Sequence, residues 1–364
     1  MSVHQDRATL RHVGIGIGRL THWHDGLGEF SRQLGLALAA RANTLLDAHG
    51  LRLHFHLPEP FHGVFGDRVG YLGTHTLQRW LHWRGQRFDL WHTLHQHNRL
   101  RAPLGTARIV ETVHDLNFLH TKRGAKIERY RQRTRRRLLR ADATIAITHH
   151  VARDILQQLA PLPTAPRVIH NGATDLSPAP EREVPGLGDQ PFLLHVSRLA
   201  PTKNIDALLA LAAAWPGQRL VLAGASSAYS REVQAAVAAR GLDNVQFRLD
   251  VAEAEKAWLY AHCQGFLFPS LAEGFGLPPI EAMHFGKPVF LSRLTSLPEV
   301  GGALADYFDD FSGPAMRRVV EQGLARHAAE PGRAAALRRH ASQFSWQRCA
   351  EAHVALYLEL LDTR

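Results

Sequence analysis

Residues 268–283 read FPSLAEGFGLPPIEAM, and this stretch places two carboxylates, Glu273 and Glu281, eight positions apart. The apolar run 265–268 before it predicts a strand, and Pro279 favours the start of a helix after it. Glu273 is therefore predicted to lie in the loop at the carboxyl end of a strand, and Glu281 in the first turn of the next helix. Ligands of open α/β sheets bind at that edge.

The chemistry of this loop indicates a ligand that carries both phosphate and hydroxyl groups. Gly274 and Gly276 allow backbone N–H groups to approach a ligand closely, and a helix N-terminus attracts an anion. Two carboxylates cannot ligate a phosphate, so we expect both glutamates to accept hydrogen bonds from hydroxyls. A nucleotide sugar combines these groups in one molecule.

The rest of the chain alternates short apolar runs with helical periodicity, which is typical of doubly wound α/β domains. The pattern stops in a stretch rich in proline, glycine and charge, residues 171–190, and restarts with a strand over 192–196. We therefore predict two domains, residues 1–183 and residues 184–344, followed by a long terminal helix over 345–364. The 364-residue length suits two domains of ordinary size.

The stretch around Glu273 and Glu281 resembles the Glu-x7-Glu signature of retaining glycosyltransferases of family 4. The motifs Gly-Phe-Gly-Leu-Pro and Glu-Ala-Met in the same stretch strengthen the match. The resemblance extends from Gly26 to the terminal helix. It implies an α/β chain with the GT-B fold, in which two Rossmann-like domains face each other across a cleft and the helix 345–364 completes the first domain. It also implies retaining transfer of a hexose from a nucleotide sugar.

A second motif follows the first strand of the second domain. Residues 195–203 resemble the family motif Gly-Arg-Leu-x-x-x-Lys-Gly. The resemblance implies that Arg198 and Lys203 hold the donor diphosphate and stabilise the charge that develops on the leaving group. Ser197 and Asn204 stand where the family usually has glycine, and neither difference removes a charge.

The resemblance also implies which residues contact the donor. Glu273 would hold hydroxyls of the hexose, and Glu281 would hold those of the ribose. Glu299 lies in a further family motif, Ser-x-Pro-Glu-Val, which is expected on the nucleotide side of the site. The predicted donor-binding residues are Gly26, Gly28, Gly274, Phe275, Gly276, Leu277, Glu281 and Glu299.

Two motifs of the first domain complete the predicted site. Residues 25–28, Asp-Gly-Leu-Gly, resemble a glycine loop of the family that approaches the donor phosphate or the acceptor through backbone N–H groups. Residues 112–116 end a strand and contain the His-Asp-Leu motif of many members that use mannose-type donors. His114 is therefore expected at the donor hexose, while Asp115 would orient His114 or bind the acceptor.

The His-Asp-Leu motif favours GDP-mannose as donor, with UDP-glucose next, and the family resemblance implies a glycan or glycolipid acceptor in the synthesis of bacterial surface polysaccharide or lipopolysaccharide. No metal cofactor is expected, because no Asp-x-Asp pair or His, Cys and carboxylate spacing suggests a metal site. Two alternatives stay open: a non-catalytic nucleotide- or carbohydrate-binding protein on the same scaffold, and a sugar-nucleotide epimerase of the GT-B fold.

The net charge of +10 is divided unevenly along the chain. Residues 1–185 hold 26 Lys and Arg against 15 Asp and Glu, whereas residues 186–364 hold 17 against 18. The first half should therefore meet an anionic partner. No nucleic-acid motif is visible, so an acidic membrane surface or a phosphorylated glycan is favoured.

Residues 122–140 concentrate this charge, with ten basic residues and the single acid Glu128. On a helix, such a segment is either a solvated face or a contact with anionic lipid. No apolar run reaches the roughly 18 residues of a membrane span, and Cys263 and Cys349 sit in apolar surroundings. We expect a cytoplasmic protein, with peripheral contact at the inner face of the cytoplasmic membrane as the open question.

Overall fold

The computed structural model describes residues 10–20, 23, 26–188 and 190–363, with only the backbone given for His120. The chain folds into two compact units. The first unit comprises Met1–Gly172 and Ser345–Arg364, and the second comprises Ala173–Phe344. Each unit has its own parallel sheet with helices between the strands, which confirms the predicted α/β class and its two Rossmann-like domains.

The first unit contains a seven-stranded parallel sheet in the order β3-β2-β1-β4-β5-β6-β7. Its central strands are buried, as expected when helices cover both faces of a parallel sheet. The strands are β1 (Arg11–Gly16), β2 (Leu51–His56), β3 (Gly70–Leu72), β4 (Leu90–Thr93), β5 (Arg108–Val113), β6 (Ala143–Ala146) and β7 (Arg167–Val168).

The second unit contains a six-stranded parallel sheet in the order β10-β9-β8-β11-β12-β13. Its strands are β8 (Phe192–Val196), β9 (Arg219–Gly224), β10 (Val245–Leu249), β11 (Gly265–Phe268), β12 (Val289–Ser292) and β13 (Asp306–Phe308). Strands β3 and β13 were not predicted from the sequence, because each has only three residues and lies at the edge of its sheet.

Thirteen α-helices connect the described strands. They are α1 (Gly26–Ala39), α2 (Ala42–His49), α3 (Phe118–Thr121), α4 (Ala125–Leu138), α5 (His149–Leu159), α6 (Ile205–Ala214), α7 (Ala228–Ala239), α8 (Glu253–His262), α9 (Leu277–His284), α10 (Leu297–Gly301), α11 (Gly313–Ala329), α12 (Arg333–Ala341) and α13 (Trp346–Asp362). No helix in the described part of the chain is long and apolar enough to cross a membrane.

Helix α13 belongs to the core of the first unit. The Ser345 side chain accepts a hydrogen bond from the Arg348 N–H (3.2 Å), a cap that fixes where α13 begins. Apolar residues then recur at helical spacing, and Trp346 joins the buried cluster that surrounds β1 and β2. Farther along, the Tyr357 hydroxyl lies 2.6 Å from Nδ1 of His92 on β4.

The units divide between residues 172 and 173, rather than at the predicted boundary between residues 183 and 184. The intervening segment is bonded to the second unit. Ala173 N donates to Phe344 O (2.9 Å), and Arg182 N donates to Ala254 O (3.0 Å). Proline and glycine reveal that such a segment lacks regular structure, but they do not show which domain it packs on.

Candidate active site

The second sheet reverses its strand order at β8, because β9 lies on one side of this strand and β11 on the other. Ligands of doubly wound sheets bind beyond the carboxyl ends of the strands at such a switch point. The loop after β8 carries Arg198 and Lys203, and the loop after β11 carries Glu273. Leu271 N donates to Thr202 O (2.8 Å), which ties the two loops together.

Lys203 and Glu273 form a largely buried ion pair at this switch point. The Lys203 ammonium donates to Glu273 Oε1, and the exposed fractions of the two side chains are 15% and 12%. The Ser270 hydroxyl donates to the same carboxylate oxygen (2.5 Å), and the ammonium lies 5.3 Å from the ring centroid of Phe268. A ligand hydroxyl would therefore meet a donor and an acceptor together, while a ligand phosphate would compete with Glu273 for the ammonium.

Backbone strain marks the same edge of the sheet. In the described part of the chain, the non-glycine residues with positive φ are Leu199 (37°), Asn204 (54°), Asp250 (55°) and Thr295 (54°). Each lies in a loop that follows β8, β10 or β12. Such conformations cost about 1–3 kcal/mol each and gather at functional sites, where the surrounding structure holds them.

Residues after β12 hold the loop that contains Glu273. The Thr295 hydroxyl accepts a hydrogen bond from Glu273 N (3.1 Å). The Ser296 hydroxyl lies 3.1 Å from the carbonyl oxygen of Glu273 and 2.8 Å from that of Phe275, to which it donates. These supporting roles of Ser270, Thr295 and Ser296 were not predicted from the sequence. The family motif that starts at Ser296 was the one available signal.

Glu281 lies in the second turn of α9, rather than in the first turn as predicted, because α9 begins at Leu277. Its carboxylate is buried and accepts a hydrogen bond from the Tyr260 hydroxyl (2.7 Å). Burial, and then the carboxylate itself, hold the pKa of Tyr260 well above its usual range, so the tyrosine keeps its proton. Lys256 lies 3.4 Å from the other carboxylate oxygen.

The loop between Glu273 and α9 approaches its neighbours closely. Gly276 has a φ of 112°, and a Cβ there would lie 2.9 Å from Leu297 Cδ2, so only glycine fits. The Phe275 side chain is buried, with its ring 5.7 Å from that of Phe344. Gly274 is half-buried. All three of these predicted donor-binding residues can therefore offer only backbone groups to a ligand.

The N-terminus of α9 has fewer hydrogen-bond donors than a typical helix. Leu277, at the first helical position, is half-buried, and Pro278 and Pro279 follow it without backbone N–H groups. The helix dipole remains, but the expected attraction of a phosphate rests on fewer N–H groups than a helix N-terminus without prolines would offer.

The remaining predicted residues of the second unit lie in separate places. The Arg198 side chain is exposed and forms no ion pair or side-chain hydrogen bond with any described residue. Glu299 lies in the single turn of α10, where its N–H donates to Ser296 O (3.1 Å). The structure thus brings Lys203 and Glu273 into contact, while the Arg198 side chain is exposed on the loop after β8.

His114 follows β5 in the first unit and is buried. Its Nε2–H donates to Leu94 O (2.9 Å), and its backbone N–H donates to Gln96 Oε1 (3.0 Å). The ring meets the edge of Phe30 at 4.5 Å between centroids. Burial lowers the pKa of His114 to about 3, so the ring is neutral at physiological pH. Asp115 accepts a hydrogen bond from Asn117 N (2.9 Å).

Gly26 and Gly28 lie inside the first turn of α1, rather than in a loop before the helix. A Cβ on Gly28 would lie 2.9 Å from backbone atoms of Trp23, so the chain folds tightly against this turn. Asp25, the first residue of this predicted loop, lies outside the described residues.

The basic segment 122–140 contains α4 and divides into two kinds of residue. Lys126, Arg129 and Arg136 are exposed. Arg137, by contrast, forms a largely buried ion pair with Glu111 on β5 (2.6 Å). Part of this charge is therefore structural, whereas Lys126, Arg129 and Arg136 stay available at the surface.

Two family models match the chain in succession. Residues 30–175 match the model described as Glycosyltransferase Family 4, and residues 179–305 match the one described as Glycosyl transferases group 1. Together the two matches cover about three quarters of the chain.

Among curated proteins, the chain is similar to mannosyltransferases of Escherichia coli. It is 32% identical over 180 residues to the serotype-specific mannosyltransferase WbdA, which covers 47% of this chain and 22% of WbdA. It is 31% identical over 175 residues to O-antigen chain mannosyltransferase B, which covers 46% of each protein. The chain thus spans less than half the length of these two relatives.

Solved structures share the fold over nearly the whole chain. Sucrose-phosphate synthase from Thermosynechococcus elongatus aligns with a TM-score of 0.72 at 20% identity, over 97% of this chain and all of that one. HepE of Anabaena, solved with UDP and glucose, aligns with a TM-score of 0.64 at 17% identity, over 96% and 99% of the two chains. These similarities confirm the GT-B fold.

Proposed function

Because this chain belongs to the glycosyltransferases of group 1 and family 4, we propose that it moves a hexose from a nucleotide sugar to a glycan or glycolipid. The Lys203–Glu273 ion pair at the switch point of the second sheet is the observation that carries this proposal. It combines a cation for a leaving phosphate with a carboxylate for sugar hydroxyls at the edge where such sheets bind ligands.

In the proposed reaction, Lys203 and Arg198 stabilise the negative charge that develops on the departing diphosphate. A lysine ammonium has three N–H donors, and Glu273 takes one of them in this structure. Arg198 is exposed on the same loop and can turn toward an incoming phosphate. These two cations provide the charge that a metal ion provides in other enzymes, so we propose that no metal takes part.

Glu273 accepts hydrogen bonds from donor hexose hydroxyls. Glu281 binds the ribose hydroxyls. To do so, its carboxylate gives up its contact either with Tyr260 or with Lys256. Retention of the anomeric configuration follows from attack on the face that the diphosphate leaves. The diphosphate then takes the proton of the acceptor hydroxyl.

We propose GDP-mannose as the donor, with UDP-glucose as the second choice. The names of both E. coli relatives, together with the His-Asp-Leu motif at His114, support mannose. The relatives' names also support a role in O-antigen or related surface polysaccharide synthesis. We place the protein in the cytoplasm, where the exposed basic residues of α4 contact the anionic inner face of the membrane.

The donor proposal is tested by thermal unfolding with GDP-mannose, UDP-glucose and ADP-glucose. A donor at about 100 times its Kd should raise the free energy of unfolding by about 2.7 kcal/mol. We expect GDP-mannose to give the largest shift and to be slowly hydrolysed to GDP without an acceptor. Glu273→Gln serves as the matched variant, in which hydrolysis should fall sharply.

If only UDP-glucose stabilises the protein, the proposed donor is wrong but the proposed enzyme class still stands. Binding without any hydrolysis or transfer, in the wild type as in Glu273→Gln, would instead support a non-catalytic binding protein.

A further inference from the structure

The first sheet also reverses its strand order, at β1, with β2 on one side and β4 on the other. A cavity of about 190 Å³ opens beyond the carboxyl ends of β1 and β4. Its wall contains Arg19, Arg79, His95, His97, Asn98 and Arg99. The first unit therefore has a candidate ligand site at its own switch point, with a lining that differs from the Lys203–Glu273 pair.

The charge of this cavity is positive and unbalanced. Arg19, Arg79 and Arg99 form no ion pair with any described residue, and Nε of Arg79 is buried without a hydrogen-bond partner. The positive charge extends to Arg133 of α4. Burial is the largest cause that lowers the pKa of Arg133, and the nearby charge of Arg99 is the second largest. Arginines in such a position hold phosphate through paired N–H groups.

The cavity wall is held in place by polar side chains that hydrogen-bond to the backbone. Asn98 Oδ1 accepts a hydrogen bond from Leu100 N (2.9 Å), and Asn98 Nδ2 donates to Gly16 O (3.2 Å). His95 Nε2–H donates to Ile17 O (3.0 Å), which joins the loop after β4 to the end of β1. This loop is therefore organised before a ligand arrives.

An exposed apolar surface lies on the two segments that supply Arg79 and Arg99. We call it the tryptophan surface; it consists of Leu77, Trp80, Leu81, Trp83 and Leu104, which are between 58% and 73% exposed. Backbone hydrogen bonds join its segments, since Leu104 N donates to His82 O (2.8 Å) and Arg101 N donates to Gln78 O (2.9 Å). Large apolar side chains grouped at a surface indicate a binding face, and tryptophan favours the membrane interface.

Charge decides what covers the tryptophan surface. Residues 76–87 and 99–104 contain five arginines and no aspartate or glutamate. A second copy of this chain would bring the same positive charge to the contact, whereas an anionic lipid surface would neutralise it. Arg79 links the two features, because it belongs to the turn Thr76–Arg79 that also carries Leu77.

We propose that the first unit binds a phosphate-bearing membrane lipid at this place, with the lipid phosphate in the arginine cavity and the tryptophan surface in the interfacial layer. Binding of this lipid does not depend on the proposed sugar transfer. A further role of this lipid as the acceptor of the sugar would rest on the proposed function.

The test measures sedimentation with phosphatidylcholine vesicles that contain or lack phosphatidic acid, in the absence of any sugar donor. We expect binding only with phosphatidic acid, and a loss of roughly tenfold or more in Trp80→Ser/Trp83→Ser and in Arg79→Gln/Arg99→Gln. The matched controls Leu46→Ser and Arg68→Gln, at exposed positions elsewhere in the first unit, should bind as the wild type does.

A second readout follows quenching of tryptophan fluorescence by lipids brominated in the acyl chain. Quenching should occur in the wild type and fall in Trp80→Phe/Trp83→Phe. If only the arginine variant loses binding, and soluble glycerol 3-phosphate competes fully, the cavity serves a soluble phosphate and the lipid proposal is wrong. If neither double variant differs from the controls, both parts of the proposal are wrong. Donor hydrolysis, measured separately, shows whether the sugar-transfer proposal stands.

Discussion

The sheets of the two units have the same kind of switch point, but the side chains beside it are paired in one unit and carry an unbalanced positive charge in the other. In the second unit, Lys203 is neutralised by Glu273 within the loop region itself. In the first unit, three arginines line the cavity without a carboxylate paired to them among the described residues. Divided at the observed boundary, the first unit holds 27 Lys and Arg against 15 Asp and Glu, and the second holds 16 against 18.

This difference shows that topology selects the place of a site, whereas the side chains select the ligand. A neutral pair suits a ligand with hydroxyls and a phosphate, because each group of the pair finds a partner. An unbalanced cationic cavity needs a ligand that brings the missing negative charge. The units also differ in histidine, since 19 of the 24 histidines lie in the first unit.

Acidification should produce the largest difference in stability between the two units. Burial lowers the pKa of His56 and His114 to about 3, and that of His54 and His353 to about 4, all in the first unit. Because these folded values lie below the unfolded value of 6.5, the unfolded chain binds more protons as the pH falls below 6.5. Each histidine should then remove about 1.4 kcal/mol of stability per pH unit until its folded pKa is reached.

The measurement is hydrogen exchange of each unit at pH values from neutral to about 5. In the second unit, His195 is the buried histidine whose pKa falls to about 4. Protection should therefore decline first and most steeply in the first unit. Equal declines in both units, or an earlier decline in the second, would contradict this prediction.

Removing Arg137 should destabilise the first unit through the buried partner it leaves behind. Burial raises the pKa of Glu111, and Arg137 opposes that rise. In Arg137→Gln, the free energy of unfolding should fall by about 3–5 kcal/mol, because a buried carboxylate loses its ion pair. The control is Arg136→Gln, an exposed neighbour on α4, which should change stability little. Equal stability of the two variants in urea unfolding would refute the structural role of Arg137.

Removing Lys203 should strongly reduce turnover. Lys203→Ala is expected to lower turnover of GDP-mannose by roughly a hundredfold or more, because one preorganised charge donor is lost from the leaving group. Arg198→Ala tests the second cation in the same way. Arg240→Ala, at an exposed ion pair with Asp206 in the same unit, is the control. Near-normal turnover of both loop variants at saturating donor would show that Lys203 and Arg198 do not stabilise the leaving group.

Chelation should have the smallest effect of all. If Lys203 and Arg198 carry the charge on the diphosphate, activity should be unchanged after exhaustive treatment with EDTA. The measurement is the initial rate before and after treatment, with magnesium and manganese added back. Activity that is lost in EDTA and restored by either ion would show that a metal supplies the charge.

Much of the fold could be predicted because a parallel sheet leaves a strong signal in the sequence. Buried strands such as β8 and β11 appear as short apolar runs, and the sequence predicts them at residues 192–196 and 265–268. The edge strands β3 and β13 escaped prediction, since a strand of only three residues carries too little pattern. The start of α9 was also misplaced, because Pro279 fits any position in a first turn.

By itself, the sequence determined that Lys203 and Glu273 lie at strand ends of one sheet, since spacing and glycine content fix the local elements. Only the tertiary structure decided what each side chain meets. Glu281 pairs with Tyr260 and Lys256 on α8, and Arg137 pairs with Glu111 on β5. The tryptophan surface likewise forms because two segments of the first unit are joined by backbone hydrogen bonds. Such contacts depend on packing between elements distant in the chain, which periodicity and spacing do not encode.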